Sequence, residues 1–133
     1  MEVKKILIPV DGSEQNFKAL EVVKNMVEQF QCHVIFLNVI EINSIFTHDM
    51  LRILKEQGKK ILKEAITFVD PISFEDYCIF GYPASEIIKK AQETNVDLII
   101  ITKKGLTGID KYLMGSVASK IVKHSNIPVL VIP

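Results

Sequence analysis

Residues 96–102, Val-Asp-Leu-Ile-Ile-Ile-Thr, constrain the fold more than any other stretch of the chain. A strand with one face in water alternates apolar and polar residues, because successive side chains point to opposite faces. Three consecutive isoleucines break that alternation and call for cover on both faces. Helices are the cover that a parallel sheet receives, so the remaining sequence should alternate between strand-like runs and helical stripes.

It does. Residues 4–10 (KKILIPV) form a short apolar run closed by Asp11-Gly12-Ser13, a turn signal with a helix cap. From Glu14 to Gln31, Phe17, Leu20, Val23, Val27 and Phe30 recur at three and four, with charged residues between them. That spacing predicts an amphipathic helix buried along this stripe. Residues 33–39 (HVIFLNV) give a second strand. A long helical stripe follows through Leu51, Leu54, Ile61, Leu62, Ala65, Ile66 and Val69, ended by Pro71. Gly58 falls on its inner face, as a close contact or a break.

Residues 73–80 (SFEDYCIF) read as a third strand, polar enough to lie near a sheet edge, and residues 83–95 as a short helix with Asn95 as a left-handed stop. After the isoleucine strand come a helix over 116–125, a break at Asn126-Ile127-Pro128 and a last strand, VLVIP. The order β-α-β-α-β-α-β-α-β implies a parallel, Rossmann-like sheet with helices on both faces, in one domain spanning 1–133. Such sheets bind ligands beyond the carboxyl ends of their strands, where strand order reverses. Unusual turns follow strand 1 (Asp11-Gly12-Ser13) and strand 4.

Sixteen basic residues balance sixteen acidic ones, so no global field draws in nucleic acid or an anionic membrane. The apolar run near the start is too short for a signal-peptide core, and no later run approaches a membrane span, which predicts a cytoplasmic protein. Cys32 and Cys78 lie apart in apolar stretches and read as buried structural thiols. His33, His48 and His124 show no metal-ligand spacing.

Other α/β machines fail on residues their chemistry requires. A dinucleotide fold needs G-x-G-x-x-G after the first strand, and this turn, VDGSEQN, has one glycine. A phospho-receiver needs an acceptor Asp after strand 3, where Phe80-Gly81 stands, and a Lys after strand 5. Ser13, Ser85 and Ser116 sit at helix starts, where capping is their ordinary role, and no G-x-S-x-G elbow is present.

Three stretches together resemble the universal stress protein family: ILIPVDGSE (6–14), GYPASEII (81–88) and the segment from Thr102 to Pro133. The resemblance runs the length of the chain and implies a five-stranded parallel sheet of order 3-2-1-4-5, with strands 1 and 4 flanking the switch point. Nucleotide-binding members of the family carry G-x-x-G, nine residues, then G-S or G-T. This chain has Thr102-Lys103-Lys104-Gly105, nine residues, then Gly115-Ser116, so Thr102 replaces the first glycine.

By that resemblance Pro9, Val10 and Asp11 line the adenine and ribose side, and Val39 closes on the base. Gly105, Gly115, Ser116, Val117 and Ala118 surround the phosphates, and Thr102 lies by the ribose and first phosphate; Lys103 and Lys104 can add charge there, although loop lysines are more commonly solvated. The opening N–H groups of a helix lack internal partners and can point at an anion, each such contact contributing ~1 kcal/mol in partly buried geometry. Were Thr102 to need a positive φ, the strain would be about 1–2 kcal/mol. Taken singly, Gly105 and Gly108 can shape a turn, Ser116 can cap the last helix, and Asp11 can open the first.

The resemblance implies a regulator of stress response that binds an adenine nucleotide, ATP or another adenosine nucleotide such as AMP, with Mg2+ arriving on the phosphates near Asp11 or Asp110. It also implies a homodimer joined through the last strand, at Val129, Leu130 and Val131. The sequence offers no general base, so the reading is a binder, with slow ATP hydrolysis as its limit. The competing reading is a dimerisation or partner-binding module that has lost nucleotide binding, and Thr102 favours it.

Overall fold

The computed structural model describes residues 1–104 and 114–133. Along the chain run β1 (Lys5–Pro9), α1 (Glu14–Phe30), β2 (His33–Ile40), α2 (His48–Val69), β3 (Phe74–Phe80), α3 (Pro83–Glu93), β4 (Leu98–Thr102), α4 (Ser116–His124) and β5 (Val129–Ile132). The strands form one parallel sheet in the order β3-β2-β1-β4-β5.

Both faces of its centre are covered. On one face α1 and α2 pack against Ile6, Ile8, Val34, Phe36, Leu98 and Ile100. On the other, α3 and α4 pack against Leu7, Ile35, Leu37, Ile99 and Ile101. Ile99, Ile100 and Ile101 therefore divide between the two cores, which is why the run needs no polar residue. Full burial of such a side chain stabilises by about 1.5–3 kcal/mol relative to exposure. The more polar β3 lies at the sheet edge, as its sequence predicts, and there Cys78 is only half-buried while Cys32 is buried.

One helix face differs from expectation. The buried stripe of α1 is Asn16, Ala19, Leu20, Val23 and Val27, whereas Phe17 and Phe30 remain 47% and 61% exposed. A small residue at position 19 brings the helix close to the sheet, and the bulky Phe17 on the flank packs on Phe68 of α2 instead, at 4.4 Å between centroids. Gly58 does not break α2. A Cβ there would lie 2.5 Å from Asn38 Oδ1 and 2.7 Å from Cys78 Sγ, so the glycine lets α2 lie against β2 and β3. Asn95 takes the left-handed stop with φ 54°, and Asp70 does the same just before Pro71.

At the amino ends of the central strands, Asp97 Oδ2 accepts hydrogen bonds from the Lys4 and Lys5 amides at 2.9 and 3.0 Å. Its own amide donates to Lys5 O at 2.9 Å, tying β1 to β4. The two amide donors hold the Asp97 carboxyl below the usual carboxylate range. The Tyr77 hydroxyl and then His33 do the same for Glu75 on the edge strand, with donor distances of 2.6 and 2.7 Å. A depressed native pKa contributes stability above the unfolded pKa, and that contribution is lost as pH falls through the native one. Asp97→Asn should therefore flatten part of the acid limb in urea midpoint against pH, relative to the wild type. Parallel acid limbs would remove Asp97 from the pH dependence.

Candidate functional site

β1 and β4 are neighbours, but the chain leaves β1 toward β2 and leaves β4 toward β5. The switch point therefore lies between their carboxyl ends. Pairing of β1 with β2 runs from Lys5 to Pro9, whereas pairing of β1 with β4 stops at Leu7 and Ile99. Beyond that point the two strands part, leaving a crevice between Pro9–Asp11 on one side and Thr102–Lys104 on the other. The residues expected to form one site converge on this edge of the sheet: Pro9, Val10 and Asp11 after β1, Val39 near the end of β2, Thr102 and Lys104 after β4, and Gly115–Ala118 opening α4. Gly105, Gly108 and Asp110 lie outside the described residues.

Two buried amides fix the end of β1. Asn38 Nδ2 donates to Val10 O at 2.7 Å, and Asn16 Nδ2 donates to Pro9 O at 2.9 Å. Val10 N extends the ladder to Leu37 O at 2.8 Å. Buried amide side chains are tolerated when their hydrogen bonds are made, and these two use theirs to immobilise the strand end. Sequence patterning did not single out either asparagine, although Asn38 interrupts the apolar run of 33–40, which was the available signal for it.

Gly12 turns the chain with φ 81°. Ser13 N donates to Asp11 Oδ1 at 2.9 Å, and Ser13 Oγ accepts from Asn16 N at 3.1 Å as the cap of α1. Asp11 is thus partly engaged in the turn, with its second oxygen free of hydrogen bonds among the described residues.

Across the crevice, Lys103 N continues the sheet to Ile132 O at 2.7 Å, and Gly115 N donates to Lys103 O at 2.8 Å. The Gly115 amide is therefore already used. Its value lies in closeness, since a Cβ at 115 would stand 3.3 Å from Lys103 O. Gly115 is itself the N-cap of α4, which removes the capping role considered for Ser116. The first helical bond runs from Ser119 N to Gly115 O at 2.9 Å, leaving the Ser116, Val117 and Ala118 amides without helical acceptors.

Thr102 takes ordinary strand geometry and is not among the residues with positive φ, so the backbone strain considered for it does not arise. It pairs with Ile132, which packs on the α1–α2 face, and strand alternation groups it with Leu98 and Ile100. Val39, Met114 and Ala118 belong to the opposite face. The threonine side chain thus stands away from that side of the crevice.

Lys104 Nζ is buried and has no hydrogen-bond partner among the described residues. A buried ammonium without a partner is costly, and an anion is the group that satisfies it. Open amides at the start of a helix are likewise suited to an anion such as phosphate. Among the described residues no cluster of three or more His, Cys, Asp or Glu side chains could hold a metal ion by itself. Among the same residues no helix is long and apolar enough to cross a membrane.

The model of the universal stress protein family matches residues 2–133. This chain belongs to the universal stress protein family. Universal stress protein MJ0531 of Methanocaldococcus jannaschii is 30% identical over 138 residues, covering 97% of this chain and 81% of that protein. Universal stress protein MJ0577 of the same organism is 33% identical, with 97% and 94% covered. The MJ0577 structure superposes with a TM-score of 0.91 over 99% of this chain and 96% of its own. An Archaeoglobus fulgidus universal stress protein in complex with dAMP shares the fold at 18% identity, with a TM-score of 0.76 and both chains fully covered.

Within this universal stress protein, Gly58 lies behind the crevice, against the Asn38 side chain that holds the Val10 carbonyl. Gly58→Ala should lower stability by ~1–3 kcal/mol, the usual range for overpacking, despite the better helix propensity of alanine. An unchanged urea midpoint would mean that α2 shifts freely and does not set the crevice wall.

Proposed function

We propose that this universal stress protein binds an adenine nucleotide in the β1/β4 crevice, and acts as a nucleotide-dependent regulator of stress response in the form of a homodimer. The observation that carries the reading is the buried Lys104 ammonium, without a hydrogen-bond partner among the described residues, on a residue whose Cα lies 3.6 Å from where a Cβ at Gly115, the cap of α4, would stand. Lys104, Ser116, Val117 and Ala118 hold the phosphates, Gly115 admits them to the backbone, and Gly105 completes that loop. Pro9, Val10 and Val39 contact the base. The unused oxygen of Asp11 faces the ribose, or Mg2+ arriving with the phosphates of ATP. Thr102 borders the ribose, and its ordinary strand geometry removes one objection to its presence. The dAMP held by the Archaeoglobus fulgidus protein of the same fold supports an adenine ligand. The chain acts as a binder, with hydrolysis slow at most.

The dimer reading rests on β5. Ile99 N donates to Pro128 O and Lys103 N to Ile132 O, so the even-numbered peptide groups of β5 serve β4. Those of Val129 and Val131 point away from the sheet as an open edge, with Leu130 39% exposed beside them. Such edges are normally covered or paired.

Two experiments test this. Freshly purified protein is denatured and its released small molecules analysed, and ATP with magnesium is titrated calorimetrically into emptied protein. Adenine nucleotide or binding heat is expected, with Lys104→Met weakening affinity at least about tenfold, a loss of ~1.4 kcal/mol, and Gly115→Val abolishing binding. No heat up to millimolar ATP would favour the partner-binding module, and Thr102→Gly would then show whether that side chain closed the site. Leu130→Glu should yield monomer in sizing experiments. A dimer unchanged by it would rule out the β5 interface.

A further inference from the structure

The other edge of the sheet is β3, and it differs from β5 in one respect. Val34 is paired with Phe74, Val34 N donates to Ser73 O, and Gly81 N donates to Ile40 O. In a parallel ladder this geometry turns the odd-numbered peptide groups of β3 toward β2. The peptide groups of Phe74, Asp76, Cys78 and Phe80 therefore face outward. One of these carbonyls is already occupied. Lys55, from α2, reaches the edge and donates through Nζ to Cys78 O at 2.6 Å, with its ammonium 5.3 Å from the centre of the Phe80 ring.

We propose that β3 is a latent two-fold interface with a second copy of this chain, held shut by Lys55. An antiparallel β3–β3 pair centred on Tyr77 sets Asp76 opposite Cys78 of the other copy, and Phe74 opposite Phe80. Both are pairs whose outward peptide groups face one another and exchange hydrogen bonds. Phe74 and Phe80, 44% and 36% exposed, would then form cross-strand aromatic pairs. Each Asp76/Cys78 pair exchanges two bonds, one of which runs from the Asp76 amide to the Cys78 carbonyl of the other copy. Lys55 occupies that carbonyl in each chain, so one of the two bonds of each pair is blocked. Charged side chains, lysine above all, are a recurrent means of closing a sheet edge. The lock acts on association at β3 whether or not β5 pairs, so the reference for the test is the wild-type mass, whatever that is.

The test is sedimentation velocity over a range of protein concentration on the full chain. Lys55→Met keeps the stem over Phe80 and removes the ammonium, and Lys55→Gln keeps a polar tip too short to reach the carbonyl. Both should give assemblies about twice the wild-type mass at high concentration, as a two-fold contact requires, while Lys55→Arg stays at the wild-type mass. Adding Asp76→Pro to Lys55→Met removes the donor to the freed Cys78 carbonyl at an outward-facing amide, a position where an edge strand tolerates proline. The double variant should return to the wild-type mass. Unchanged mass in both single variants would overturn the proposal. So would larger assemblies that Asp76→Pro does not reverse, since their contact would then lie elsewhere.

Discussion

Burial of both faces of β1 and β4 is the constraint on which the rest depends. Leu7, Ile8, Ile99 and Ile100 are fully buried, and their neighbours on either side belong to different cores. Strands of that kind cannot stand at an edge or face water. The more polar β3 and the short β5 take the edges instead, and two pairs of helices close the faces. Once the two most apolar strands are adjacent and parallel, the connections leave them in opposite directions. The crevice is a by-product of covering them.

At the crevice, the division between used and unused polar groups matters more than the list of residues. The Pro9 and Val10 carbonyls, one oxygen of Asp11 and the Gly115 amide all have partners inside the protein. These groups hold the walls in place. Among the described residues, the Lys104 ammonium and the first helical amides of α4 are left over. Apart from the second oxygen of Asp11, the groups left over among the described residues are donors, which suit negative charge.

Much of this was legible in the sequence, for reasons that can be named. Strand runs and helical stripes differ in period, so all nine elements were readable, and the polarity of SFEDYCIF marked an edge. Strand order came only through the family resemblance, since period carries no information about neighbours. What escaped were side-chain decisions made in three dimensions. Phe17 and Phe30 fit the apolar period of α1, yet Ala19 took the contact with the sheet because closeness favours a small residue. Asn16 and Asn38 were not marked by the apolar period, and they are the pegs of the β1 end. Thr102 looked strained by analogy with glycine, but strand geometry suits a β-branched residue. The reach of Lys55 to the β3 edge spans 23 residues and leaves no mark on either local pattern.

The early end of the β1–β4 ladder has a further consequence. The crevice exists because two backbones diverge after Leu7 and Ile99, while Asp97 keeps them together at the opposite pole. No hinge between lobes has to swing for such a cleft to form, and little ordering is left for a guest to impose on its walls. Occupancy of a preorganised cleft follows the concentration of its guest in the surrounding solution. If the proposed binding holds, a chain built this way would serve as a passive gauge, whose reading is set by what is dissolved around it.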